Sequence, residues 1–121
     1  MELVLILDAL VDPTTSGLRG ASNARHLLYH SDNWDLDLVV SKSDEAIRVT
    51  GKVLPRGTAD LSSVFNAVVV LLQGSQGGTE ELVESARLTS KGEFEFRDVP
   101  EFYVRIEVFL QAHRLAASFR P

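Results

Sequence analysis

The feature that most constrains this chain is a strict two-residue rhythm that returns in run after run. Trp34, Leu36, Leu38 and Val40 alternate with Asp35, Asp37, Val39 and Ser41. Ile47, Val49, Gly51 and Val53 alternate with Arg48, Thr50, Lys52 and Leu54, and Phe94 and Phe96 alternate with Glu93, Glu95 and Arg97. Phe102, Val104, Ile106, Val108 and Leu110 do the same against Tyr103, Arg105, Glu107, Phe109 and Gln111, which reads as the longest such strand. A helix would scatter these side chains around its axis, whereas a strand puts alternate residues on opposite faces. Each run is therefore a strand with one face in a core and the other toward water.

The remaining segments fit between these strands. Residues 3–7 form a continuous apolar run, read as a strand buried on both faces and ended by the turn chemistry of residues 12–17. Residues 18–25 read as a loop. Residues 26–30 fit either a short strand or one helical turn, and the lack of a capped helical spacing favours the strand. Gly51 inside its strand signals a bulge or a close approach by another backbone. A polar loop follows Pro55, with a helical turn over 60–64, and residues 67–72, apolar at both parities, read as a central strand. Residues 74–78 form a flexible connection. Residues 80–89 carry helical propensity but suit an irregular strand ending in Ala86 and Leu88. After a break at 111–113, Leu115, Ala117 and Phe119 mark a last strand. The expectation is one all-β domain over residues 1–121, an antiparallel β-sandwich of about seven to nine strands, Ig-like in plan.

Composition narrows the function classes. The formal net charge of −5, from 17 acidic and 12 scattered basic residues, argues against a nucleic-acid binder. The absence of cysteine excludes disulfides and thiolate chemistry. No apolar run approaches the roughly twenty residues of a membrane-spanning helix. The acidic start, Met1-Glu2-Leu3, is unlike a signal peptide, so a cytoplasmic location is expected, although a segment of a longer exported protein would read the same way.

From residue 47 onward these motifs resemble a carboxypeptidase regulatory-like domain, of the prealbumin (transthyretin-like) sandwich type found in small bacterial proteins. The resemblance rests on Gly51-Lys52-Val53 and the valine-rich strand at 68–72. It continues through Gly92-Glu93-Phe94-Glu95-Phe96, then Val99-Pro100, then a long alternating strand. The chain departs from that pattern at Pro100-Glu101-Phe102-Tyr103, where the family usually has a glycine after the proline. Residues 46–121 would form the regulatory-like core, with residues 1–45 as N-terminal strands and loop. The front part is similar to small bacterial proteins, some encoded near sigma-factor regulators. What the resemblance implies is a non-catalytic module for folding, docking or recognition.

The candidate sites are modest. Asp32, Asp35 and Asp37 form the densest acidic cluster, but the stretch lacks the glycine and distal glutamate of a calcium loop, so Asp35 and Asp37 read as the wet face of a strand. His26, Tyr29 and His30 lie close together, with His113 remote; Trp34 is a candidate stacking platform for a carbohydrate or small ligand. Transthyretin-like hydrolases and intradiol dioxygenases use histidine and tyrosine, yet this chain ends Ser118-Phe119-Arg120-Pro121 and holds only two tyrosines at other spacings. Tyr29 and Tyr103 suit the capping of sheet edges. No nucleophile elbow or phosphate loop is present, so no catalytic residue, metal or cofactor is expected. Tyr103 and Phe109 fall on the polar parity of the long strand. Either they mark a partner surface, or residues 3–7 or a loop cover them. The leading expectation is a non-enzymatic module that docks a protein partner, in a bacterial regulatory complex. It would use a sheet face or an edge strand, and such an edge also offers pairing to a second copy. A small-ligand or carbohydrate-binding domain is the alternative, and a metal- or histidine-dependent enzyme the third.

Overall fold

The structure, a computed structural model, describes residues 4–11, 23–43, 45–56, 67–74, 80–101, 103–110 and 114–121, with side chains described from residue 24 onward. Its elements are β1 (Val4–Val11), β2 (Asn23–His30), β3 (Trp34–Lys42), β4 (Ile47–Pro55), β5 (Val68–Gly74), β6 (Glu80–Arg87), β7 (Glu93–Phe96), β8 (Val104–Phe109) and β9 (Arg114–Phe119). They form a five-stranded sheet ordered β1-β2-β3-β4-β7 and a four-stranded sheet ordered β6-β5-β8-β9, antiparallel throughout. Among the described residues no helix is long and apolar enough to cross a membrane.

The alternation read from the sequence becomes the inner lining of a β-sandwich. Leu36, Leu38, Val49, Val53 and Phe96 of one sheet meet Val69, Leu71, Ile106, Val108 and Leu115 of the other in one buried cluster. Burial of each such side chain stabilises the fold by roughly 1.5–3 kcal/mol. Two polar contacts also tie the layers. The Tyr29 hydroxyl donates to the Ser118 carbonyl at 3.4 Å, and Arg25 Nη1 donates to the Arg120 carbonyl at 2.6 Å.

Two motifs of the sequence prove to be halves of one device. Gly51 of β4 lies directly opposite Phe94 of β7 in an unbroken register. A Cβ placed on Gly51 would stand 2.1 Å from the Phe94 ring, so the glycine exists to admit that ring. There is no bulge at Gly51, and the close approach is aromatic rather than backbone. Phe94 in turn packs on Phe96, ring centres 5.6 Å apart and tilted by 59°, a favourable edge-on geometry. The turn before β7 is closed by the Thr89 amide donating to the Glu93 carbonyl at 3.0 Å, with Gly92 at a φ of 77°. That φ is steeply unfavourable for any residue with a Cβ. Beyond β7 the Val99 amide still donates to Ile47 at 3.0 Å, and Pro100, lacking an amide, ends the pairing.

Several expectations need correction. β2 reaches back to Asn23, so residues 23–25 are strand rather than loop, because they pair with Val40, Ser41 and Lys42. β1 is an edge strand paired, among the described residues, to β2 alone, and it extends beyond the apolar run to Val11. β8 spans 6 residues and is shorter than β3 and β4 at 9 each. It pairs as a strand only from Val104, although the Tyr103 carbonyl already accepts from Gly74 at 3.0 Å. The irregular strand expected over 80–89 is present as β6 but ends at Arg87, with a register shift between Leu71 and Leu72 that bulges it near Val83. The helical turn at 60–64, the connection at 75–78 and the break at 111–113 lie outside the described residues.

Candidate functional site

The outer face of the five-stranded sheet gathers the histidines. His26, His30, Asp35 and Asp37 share the outward parity of β2 and β3, and His30 stands directly opposite Asp35. The His26 Nε2–H donates to Asp37 Oδ1 at 2.5 Å, and the His30 Nδ1–H to Asp35 Oδ1 at 3.2 Å. Arg56, which follows β4, completes the group. Its Nη1 donates to the Ser31 carbonyl at 3.0 Å and touches the His30 ring, while its Nε is 3.7 Å from Asp35. Burial, and secondarily the neighbouring Asp37, hold the Asp35 carboxyl above the ordinary aspartate value of 3.8.

Chemically this array is self-contained. Each imidazole is held by one carboxylate, and among the described residues no group of three or more His, Asp or Glu side chains is placed to hold a metal ion. Asp32 sits exposed in the β2–β3 turn, while Asp35 and Asp37 alternate with buried neighbours along β3. The sequence gave no sign of Arg56, which meets His30 only once β4 returns beside β3.

The structure separates the other candidate residues. Trp34 is 5% exposed and Tyr29 3%, both inside the sandwich core. Trp34 is therefore no stacking platform: it shares the inward parity of Leu36 and Leu38, and its amide is locked to the Ser31 hydroxyl at 3.1 Å. Tyr29 does not cap an edge but crosses to the opposite sheet. His113 lies outside the described residues. A cavity of about 330 Å³ opens beside the β3–β4 turn, lined by Ser43, Glu45, Ile47, Asp98, Val99 and Glu101 among others. Its lining carries the carboxylates of Glu45, Asp98 and Glu101 and no lysine or arginine.

The outer face of the four-stranded sheet is different in kind. Leu82 is 64% exposed, Tyr103 51%, Phe109 41% and Val83 39%; these are the exposed large apolar side chains among the described residues, and all stand on or beside this sheet. Register spreads them over the face: Leu82 lies in one row with Leu72 and Arg105, and Phe109 lies in another with Val68 and Arg87, with Ser85, Val70 and Glu107 in a row between. The segment at 3–7 cannot cover Tyr103 and Phe109 as a lid, since β1 pairs on the other sheet. Glu107, of wet parity in sequence, is only 8% exposed. Arg105 stabilises it there, its Nε donating to Glu107 Oε1 at 3.1 Å and its Nη1 to the Ser118 hydroxyl at 3.3 Å. Leu82 and Val83 were missed by sequence reasoning. The available signal was two adjacent apolar residues inside a glutamate-rich strand, where one of them has to face outward.

Among known protein families, curated proteins and solved structures, none matches this chain significantly.

Proposed function

We propose that this chain is a non-catalytic β-sandwich module that docks a protein partner through the outer face of its four-stranded sheet. The observation that carries the reading is that the exposed large apolar side chains among the described residues, Leu82, Val83, Tyr103 and Phe109, all stand on or beside that sheet. Single exposed apolar residues are ordinary, but four large ones on or beside one sheet, with none on the other among the described residues, favour a surface that meets another molecule. The opposite face carries the contrasting pattern. His26, Asp37, Lys52 and Glu93 face outward there, with charges offset by neighbours across the strands.

The pairing of Gly51 with Phe94 supports membership of the carboxypeptidase regulatory-like, prealbumin-type sandwiches, because it makes two separate motifs of that resemblance answer to one packing requirement. A bacterial regulatory complex is the setting this reading favours. The test compares the wild-type chain with Leu82→Asp/Phe109→Asp and with Lys52→Glu on the other sheet, each checked for an unchanged fold. Retention of one identified cellular protein by the wild type and Lys52→Glu chains, and its loss from the double variant, is expected. Equal retention by all three would overturn the reading.

A further inference from the structure

We infer that the open edge of β6 accepts a basic, extended segment of the partner as an added antiparallel strand; this rests on the docking reading and names the chemistry of what docks. β6 is an edge of the four-stranded sheet; among the described residues it pairs only with β5, and it also comes close to β7 of the other sheet. It runs for 8 residues, with seven exposed. The other edge of the sheet, β9, is mostly buried. On either side of the bulge near Val83, the β6 edge presents backbone donors and acceptors to a chain that can lie beside it.

The side chains of β6 select among occupants. Glu80, Glu81 and Glu84 against Arg87 leave the strand at −2, by three negative charges less one positive. Glu80 is engaged by Arg105 at 4.0 Å. Glu81 and Glu84 face the opposite way from Leu82, since they pair with Gln73 and Leu71 while Leu82 pairs with Leu72. A second copy would bring two such −2 edges together and set these carboxylates against each other. Like charges side by side on adjacent strands are destabilising. A strand that alternates lysine or arginine with apolar residues meets both requirements. Its cations would lie beside Glu81 and Glu84, and its apolar side chains would continue the row from Leu72 through Leu82.

The probe is an end-capped eight-residue peptide of alternating valine and lysine, titrated into the intact chain at low salt and followed by calorimetry and by backbone NMR. Two further peptides carry N-methyl groups on one or the other set of alternate amides. In strand addition only one set of amides faces β6, so one methylated peptide binds like the parent and the other loses affinity by about tenfold or more, since several backbone hydrogen bonds go with it. Glu81→Lys/Glu84→Lys weakens the parent peptide, and the shift changes fall on β6. Equal binding by all three peptides would show charge attraction without strand addition and overturn the inference. So would failure of the parent peptide to bind, or a dimer of the chain closed through β6. If the peptide fails while partner retention still depends on Leu82 and Phe109, the edge inference falls and the docking reading stands. If retention no longer depends on those residues, the docking reading itself falls.

Discussion

At the scale of single residues, the contact between Gly51 and Phe94 is the sharpest constraint in the molecule. Gly51→Ala forces a Cβ into the ring of Phe94 and should cost about 1–3 kcal/mol of stability, as overpacking does. Shrinking the ring relieves that clash. In a double-mutant cycle with Phe94→Leu, denaturant unfolding should therefore give a favourable coupling of about 1–2 kcal/mol; strict additivity would mean that the ring does not occupy the space a Cβ needs. Asp35 carries a pH signature. Its folded carboxyl binds a proton more tightly than in the unfolded chain, so its contribution to stability grows as pH falls through the folded value. That contribution is complete below 3.8 and is lost again as pH rises. Wild type should consequently gain on Asp35→Asn between pH 7 and pH 4 in urea unfolding, and a relative loss would contradict the raised carboxyl. Trp34, being in the core, should emit at short wavelength, resist quenching by iodide and ignore added sugars.

At the scale of elements, the turn into β7 depends on Gly92. Its φ of 77° makes Gly92→Ala cost about 1–2 kcal/mol by thermal unfolding, and a neutral outcome would show that the turn relaxes freely. The strands themselves were legible because each buries one face: Trp34, Leu36, Leu38 and Val40 could only alternate as they do if they faced a core. Partnership between strands was less legible, because it is decided by residues far apart in the chain. Nothing near residues 4–11 says that they lie at an edge, and Arg56 is 26 positions from the His30 ring it touches. The glutamate at 107 read as wet because alternation assigns faces, and it cannot see Arg105 and its neighbours closing over the carboxylate. β6 was obscure for a further reason. Its bulge near Val83 breaks the two-residue rhythm, so the exposure of Leu82 and Val83 was hidden in an ambiguous stretch. Of the sequence candidates among the described residues, Tyr103 and Phe109 alone are exposed apolar side chains on or beside the four-stranded sheet, whereas Trp34 and Tyr29 serve the core and His26 and His30 pair with aspartates.

At the scale of the whole molecule, the two sheets present different outer faces. The five-stranded sheet turns a charged, internally paired face to water, and the four-stranded sheet turns out leucine, valine, tyrosine and phenylalanine. The measurement that tests this division most directly is site-resolved photocrosslinking in the cells that make the protein, with a photoreactive phenylalanine analogue placed singly at Leu82, Tyr103, Phe109, Arg48, Lys52 or Glu93. The first three positions should each capture the same discrete protein and the last three should not. Capture at Arg48, Lys52 and Glu93 instead, or the same product from both faces, would contradict docking through the four-stranded sheet.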